Sequence, residues 1–276
     1  MASVANPRGR GIGRGRGFGI PKGKPGETQT ADPQKNSSNV KSLDGFDLAK
    51  VLNDKLRDET MATPVQKISQ YISDSDSSSR IKEVVDHLTQ QTIKNSEFAP
   101  VAAKVANKLC SDESFGNAFR ADLLKSTQEH YKKRQSIREK SLAEWIGLAS
   151  LICELFNHLR STDGAPLKPL AGAVHQTMSE LLREGQAGGE EEEVDEIDCF
   201  YGHFKTAGKL LESVSQEKVE ELVTKIRDTI LADNTTAKTR CLLMELLELR
   251  AGQWKISPDV DGYYCDMLAD IMANQS

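Results

Sequence analysis

The stretch that decides the fold runs from residue 142 to residue 159 and reads LAEWIGLASLICELFNHL. Its large apolar residues recur every three or four positions for about five turns, which is the spacing of one face of an α-helix. The stretch is followed at residues 162–166 by TDGAP, a sequence typical of a turn. It therefore predicts a long amphipathic helix whose buried face is Leu142, Trp145, Ile146, Ala149, Ile152, Cys153, Phe156 and Leu159.

The same three-four spacing recurs on both sides of this stretch, from about residue 44 onward. No segment alternates apolar and polar residues as a strand would, and no hairpin turn separates β-rich runs. About ten helices in antiparallel pairs are the layout of a helical-repeat protein, so we predict an all-α HEAT-type solenoid of about five antiparallel helix pairs. Its further stripes lie at residues 81–92, 98–109, 115–131, 169–182, 197–211, 219–230, 242–249 and 263–272.

Three features of this domain carry more specific predictions. Residues 242–249 are apolar almost all round, so they predict a helix buried between neighbours. Residues 185–189, GQAGG, followed by four glutamates at 190–193 predict a flexible acidic loop. Trp145 and Trp254 are interpreted as core anchors, the second one partly exposed because it follows a helix end.

The first 43 residues have a composition of their own. Eight of the twenty glycines lie between Gly9 and Gly26, and Ser, Asn, Gln, Thr and Pro dominate the linker that follows. Such a segment has almost nothing apolar to bury against the loss of backbone entropy. We therefore predict that residues 1–43 are a disordered, basic, Arg-Gly-rich tail and linker, and that residues 44–276 are the HEAT-like domain.

Charge divides the chain in the same way. Residues 1–25 hold six basic side chains and no acidic one, whereas the remainder holds 30 basic and 41 acidic residues. A cationic tail can bind an anion such as RNA, and an acidic body argues against RNA binding over a broad surface. Arginine offers phosphate a planar donor fork, and an aromatic ring can stack on a base. The candidate RNA contacts are Arg8, Arg10, Arg14, Arg16 and Phe18; a solubilising tail without a specific partner is the alternative.

A basic cluster interrupts the acidic body at the end of one predicted helix. It comprises Lys132, Lys133, Arg134 and Arg138. In one interpretation the cluster binds an acidic segment of a protein partner or an RNA phosphate. In the other, which the pattern favours, it is a solvated helix end that complements the carbonyl end of the helix dipole.

No arrangement typical of an enzyme occurs in the sequence. The five histidines lie in different predicted helices, none in a His-Glu-x-x-His pair or at ligand spacing from a cysteine, so each is expected to be satisfied or on the surface. The Gly-x-Gly-x-x-Gly, Gly-Lys-Ser/Thr and Gly-x-Ser-x-Gly motifs are absent. We predict a protein that is not an enzyme and has no catalytic residue, metal or cofactor.

Cysteine usage and hydropathy bear on the location of the protein. The five cysteines have no short spacings, which indicates small buried residues in a reducing compartment. There is no apolar run long enough to span a membrane and no signal peptide. We therefore expect an intracellular protein without membrane contact, located in the cytoplasm, with the nucleus as a further location.

Several short motifs make the chain resemble a known family. They are YKKRQ at 131–135, SLAEW at 141–145, ICELF at 152–156, EEEVD at 191–195, LLMELLELR at 242–250, WK at 254–255 and YY at 263–264. The resemblance is to the middle domain of eukaryotic translation initiation factor 4G, and it covers residues 45–270, the first fifty only in helical pattern. Within that family the chain resembles the histone stem-loop-binding-protein interactors and the cap-binding-complex-dependent translation initiation factors.

The resemblance implies a HEAT-like stack of about five helix pairs that serves as a docking platform. It implies translation initiation factors, DEAD-box RNA helicases and mRNA-end binding proteins as partners, with homodimers in some members, and it brings no catalytic residue. The main hypothesis is a non-enzymatic adaptor that promotes or regulates translation initiation. The alternatives are a direct RNA-binding protein, which the acidic body disfavours, and a helical scaffold outside translation.

Overall fold

The computed structural model describes residues 62–74, 77–182 and 190–274, with the side chains of residues 190–195 outside the description. These residues form eleven α-helices and two single-turn 3-10 helices, at Ser96–Phe98 and Lys168–Leu170. The α-helices are α1 (Ala62–Ser73), α2 (Ser77–Lys94), α3 (Ala99–Leu109), α4 (Gly116–Lys132), α5 (Arg134–Lys140), α6 (Leu142–His158), α7 (Ala171–Leu181), α8 (Glu190–Val214), α9 (Gln216–Leu231), α10 (Ala237–Ala251) and α11 (Pro258–Ala273).

The predicted all-α, HEAT-type fold is confirmed. The helices pack side by side as in a helical-repeat stack, with α6 in contact with both α2 and α8, and the described residues contain no strand, only one isolated bridge between Arg160 and Pro166. Residues 1–61 lie outside the described part of the chain, so the predicted disordered tail, the linker and the start of the domain at residue 44 stay predictions. No helix among the described residues is long and apolar enough to cross a membrane.

Helix α6 is the structural centre of the domain and is more deeply buried than a single stripe predicts. It contacts α2, α3, α5, α7 and α8, and every residue from Gly147 to Phe156 is buried. One of its faces belongs to the larger hydrophobic core, with Trp145 fully buried, and the other face, with Leu151 and Leu155, belongs to the smaller core. A helix flanked by packed helices on several sides buries most of its circumference.

Helix α10 confirms the prediction made for residues 242–249. It packs against α8, α9 and α11, and it buries Leu242, Leu243, Leu246 and Leu249. After α10 the chain turns through two residues of positive φ, Gln253 and Trp254. The turn lays the ring of Trp254 against Gly208, 5.3 Å from the ring centroid of Phe204. Both tryptophans are therefore core anchors as predicted, Trp145 fully buried and Trp254 half-buried.

The structure corrects three expectations. The acidic run at residues 190–193 was predicted to belong to a flexible loop but forms the first turn of α8, and residues 185–189 of that predicted loop lie outside the described part of the chain. The basic segment after Tyr131 is not a single helix end, because Lys133 leaves helical geometry and α5 begins at Arg134. Three cysteines are buried as predicted, but Cys199 is half-buried and Cys265 is exposed.

Candidate docking groove

An open groove of about 500 Å³ lies between three parts of the structure. One wall is the end of α2 and the loop after it, the second is the first half of α6, and the third is the middle of α8. We call this surface the α6–α8 groove. Its lining residues are Lys94, Asn95, Ser96, Glu97, Ala143, Ile146, Ser150, Asp198, Cys199, Gly202 and His203.

A glycine and two caps set the distance between the first two walls. A Cβ atom on Gly147 would lie 2.2 Å from the carbonyl oxygen of Ile93, so only glycine allows α6 to approach the end of α2 this closely. The side chain of Asn95 accepts a hydrogen bond from the backbone N–H of Glu97, which fixes the loop after α2. Ser141 caps α6 by accepting a hydrogen bond from the backbone N–H of Glu144.

A polar cluster forms the floor of the α6–α8 groove. Oε1 of Glu154 lies 3.5 Å from Nδ1 of His203, and Oε2 of Glu154 lies 3.2 Å from Nε2 of His158. On its other side, the His203 ring places Nε2 3.0 Å from Oγ of Ser150. Both Glu154 and Ser150 are buried. The cluster thus joins α6 to α8 through charged and polar groups beneath the groove surface.

The two ionisable groups at the centre of the cluster stabilise each other's charged form. Burial opposes ionisation of Glu154, but hydrogen bonds from His158 and His203 lower the pKa of its carboxyl group to about 2. Burial likewise opposes protonation of His203, yet hydrogen bonds with Cys199 and Glu154 raise the pKa of its imidazole to about 9. At neutral pH the groove floor is therefore an imidazolium–carboxylate pair.

These pKa values predict how the pair contributes to stability as the pH changes. The pKa of His203 in the folded state, about 9, lies above its ordinary value of 6.5, so its contribution is complete below pH 6.5 and is lost as the pH rises through 9. The pKa of Glu154 is about 2 against an ordinary 4.5, so its contribution is complete above pH 4.5 and is lost as the pH falls towards 2. We expect the pair to stabilise the fold fully between these limits, at pH 4.5–6.5.

Urea unfolding of the wild-type chain and of the His203→Gln variant measures this contribution. The difference in unfolding free energy between the two proteins is expected to shrink steadily from pH 6.5 to pH 9, because over this range the unfolded wild-type chain loses a proton that the folded chain still holds on His203. A difference that stays constant over that range would mean that His203 is not protonated in the folded state.

The four residues of the predicted basic cluster divide into two groups. Lys132 and Lys133 are exposed at the end of α4. Arg134 donates through Nε and Nη2 to Glu180 of α7 and through Nη1 to the carbonyl of Tyr131, so it satisfies one of the helix-end carbonyls. Arg138 donates from Nη2 to Glu196 of α8 over 2.5 Å. Arg134 and Arg138 thus form ion pairs within the domain, and a docking role for the cluster stays a prediction.

The other predicted sites have different outcomes. Arg8, Arg10, Arg14, Arg16 and Phe18 lie outside the described residues. Each histidine was expected either to have a polar partner or to lie on the surface. His203, which is paired with Glu154, fits this expectation. Glu154 was not among the predicted site residues, although a charged residue inside the most apolar helix is a signal of a buried polar contact. Within the described residues, no group of three or more His, Cys, Asp or Glu side chains is arranged to hold a metal ion.

The fold places the chain in the class of all-α helical-repeat proteins, and its open groove lies between helices that are distant in sequence. The MIF4G domain matches residues 50–252, and the chain belongs to the MIF4G domain family. The resemblance to this family is thereby confirmed; the match covers the motifs between residues 131 and 250 and ends before those at residues 254–255 and 263–264.

Named relatives of the chain are similar at modest identity. MIF4G domain-containing protein B of Danio rerio is 29% identical over 194 residues, which are 69% of this chain and 85% of that protein. The MIF4G domain-containing protein of Homo sapiens is 28% identical over 188 residues, which are 68% of this chain and 82% of that protein. The CBP80/20-dependent translation initiation factor of Xenopus tropicalis is 28% identical over 191 residues, 69% of this chain but only 32% of that longer protein.

Proposed function

We propose that this chain is a non-enzymatic adaptor in mRNA translation that docks protein partners in the α6–α8 groove. Membership of the MIF4G domain family and the similarity to a protein named a translation initiation factor support a role in translation. The observation that carries the docking role is the groove itself, an open surface whose walls are held in place by Gly147 and two caps.

The composition of the groove suits a protein segment. Ala143 and Ile146 offer apolar contacts for an anchoring side chain, while Lys94, Glu97 and Asp198 bring charges of both signs to the same surface. Apolar anchors supply most of the affinity in such interfaces, and surrounding charges guide encounter and orientation. The proposed partners are translation initiation factors, a DEAD-box RNA helicase and mRNA-end binding proteins. Homodimer formation and a cytoplasmic location, with the nucleus as a further one, belong to the same proposal.

Two glycines provide a matched pair of variants that test the docking role. Gly202 lines the groove and Gly172 lies in α7 outside it, and a Cβ atom on either would meet no atom within 4 Å. Gly202→Arg therefore adds charge and bulk at the groove surface with room for its Cβ atom, while Gly172→Arg adds the same charge and bulk elsewhere. The full chain and both variants are used as bait in nuclease-treated extract, and captured proteins are identified by mass spectrometry.

We expect the wild-type chain and Gly172→Arg to capture an initiation factor, a DEAD-box helicase or an mRNA-end binding protein, and Gly202→Arg to lose it. If Gly202→Arg captures the same protein as well as the control does, the docking surface lies elsewhere. If folded wild-type bait captures none of these classes, the translation role is wrong.

We further propose that the N-terminal tail makes a weak RNA contact through Arg8, Arg10, Arg14 and Arg16, with Phe18 stacking on a base. Each phosphate contact to single-stranded RNA contributes about −0.7 to the slope of log affinity against log salt concentration. Replacing the four arginines with alanine is therefore expected to make that slope about 3 units shallower, as measured by fluorescence anisotropy over a salt series. An unchanged slope would place the RNA contact in the body or remove it altogether.

A further inference from the structure

Three of the five tyrosines have a positively charged side chain over the face of the ring. The distances to the ring centroid are 4.4 Å for Arg80 over Tyr71, 4.3 Å for Arg134 over Tyr131 and 5.2 Å for Lys205 over Tyr201. A glutamate joins each pair: Glu83 accepts a hydrogen bond from the hydroxyl of Tyr71, Glu180 from Arg134 and Glu245 from Lys205. A ring, a cation and a carboxylate thus recur as one unit on these three helices.

The other two tyrosines are neighbours on α11. Tyr264 is buried, and its hydroxyl donates to Glu248 over 3.0 Å. The ring of Tyr263 packs edge-on against the ring of Tyr264, with the centroids 5.4 Å apart, yet Tyr263 is 57% exposed. Within the described part of the chain, no cation lies over the ring of Tyr263. The buried neighbour therefore holds an exposed aromatic ring in place at the surface.

Carboxylates surround this exposed ring on the same side of α11. The helix has four aspartates and no Lys, Arg or His. Asp259 and Asp266 lie one turn before and one turn after Tyr263, and Asp270 lies a further turn along; all three are exposed. The fourth aspartate lies 3.9 Å from Nζ of Lys205 on α8. Tyr263 thus has the ring and the carboxylates of the recurring unit but not its cation.

We propose that the face of α11 around Tyr263 binds an arginine-bearing segment of a protein partner, which supplies the missing cation. A guanidinium group stacks on an aromatic ring and presents a planar donor fork to a carboxylate, so arginine suits this face better than lysine. The aspartates repel the phosphates of RNA, and they equally repel the same face of a second copy of this chain. Tyr263 does not line the α6–α8 groove, so this surface is additional to the proposed docking site.

The test uses the full chain and a short fluorescent peptide with arginine at every third position, followed by anisotropy at low ionic strength. A second peptide carries citrulline, which keeps the planar shape of arginine without its charge. We expect the wild-type chain to bind the arginine peptide about tenfold more tightly than the citrulline peptide. Gly202→Arg in the α6–α8 groove is expected to leave this binding unchanged, so failure of the groove proposal and failure of this one are distinguishable.

Variants of α11 locate the contact. Tyr263→Leu is expected to weaken binding of the arginine peptide about fivefold, whereas Tyr263→Phe keeps the ring and the affinity. Asp266→Asn combined with Asp270→Asn is expected to weaken it by a similar factor. The matched control combines Asp228→Asn with Asp233→Asn, which removes the same charge from exposed positions in and after α9 and is expected to have less than about a twofold effect.

Four results would overturn the proposal. Equal binding of the two peptides would show that the cation is not what the chain recognises. Equal affinities of Tyr263→Leu and Tyr263→Phe would remove the ring from the contact. A control pair that weakens binding as much as the α11 pair would reduce the effect to overall charge. A dimer in sedimentation equilibrium that Tyr263→Leu dissociates would mean that a second copy of the chain covers this face.

Discussion

Replacing Arg138 with methionine is expected to lower the unfolding free energy by about 3–5 kcal/mol, the range measured when one partner of a buried ion pair is removed. Arg138 donates to one carboxylate oxygen of Glu196, and the indole N–H of Trp145 donates to the other over 2.8 Å. Glu196 is only 7% exposed. Without the guanidinium, the buried carboxylate loses this charged donor, while methionine keeps most of the side-chain volume.

The measurement is urea unfolding followed by the fluorescence of the two tryptophans. Lys133→Met is the matched control, because it removes an exposed cation five residues away, and it is expected to change stability by less than about 0.5 kcal/mol. The double variant Arg138→Met with Glu196→Gln is expected to recover a large part of the loss, since it removes the buried carboxylate charge as well. If Arg138→Met is as stable as the wild-type chain and loses only partner capture, Arg138 belongs to the docking surface instead.

The fold was predictable because its decisive signals are local. The apolar spacing at residues 142–159 belongs to one helix, and the turn sequence that ends it follows directly at residues 162–166. What periodicity could not predict is a break that depends on individual contacts. The separation of α5 from α4 occurs at Lys133, where Arg134 turns back to the carbonyl of Tyr131. The helical start of α8 at Glu190 was missed because four adjacent glutamates are equally typical of a solvated loop.

The groove was not predictable from sequence because its parts are far apart along the chain. His203 and Glu154 lie 49 positions apart, and each looks ordinary in its own helix. Only the packing of α6 on α8 makes them a pair. Arg138 is a similar case, since a basic residue near a helix end fits the dipole explanation until Glu196, 58 residues later, is placed beside it. Buried ion pairs between distant residues leave no periodic signal.

Gly147→Ala is expected to destabilise the chain by about 3 kcal/mol, the upper part of the range for overpacked positions. The added Cβ would lie 2.2 Å from the carbonyl oxygen of Ile93 and 2.6 Å from that of Thr92. Both atoms belong to the backbone of α2, so no side-chain rotation relieves the contact and the two helices must separate. The intrinsic preference of alanine over glycine in a helix, about 1 kcal/mol, offsets only part of this cost.

Gly172→Ala is the matched control, because a Cβ at that position meets nothing within 4 Å. It isolates the helix-propensity gain and is expected to stabilise the chain by about 0.5–1 kcal/mol. Urea unfolding is expected to show a lower unfolding free energy for Gly147→Ala and a higher one for Gly172→Ala. These opposite changes separate the effect of close helix contact from the effect of helix propensity. Separation of α2 from α6 would also widen the α6–α8 groove, since Ile93 directly precedes its first lining residue, Lys94. If Gly147→Ala has wild-type stability, the two helices are not in contact at this point, and Gly147 does not set the position of this wall of the α6–α8 groove.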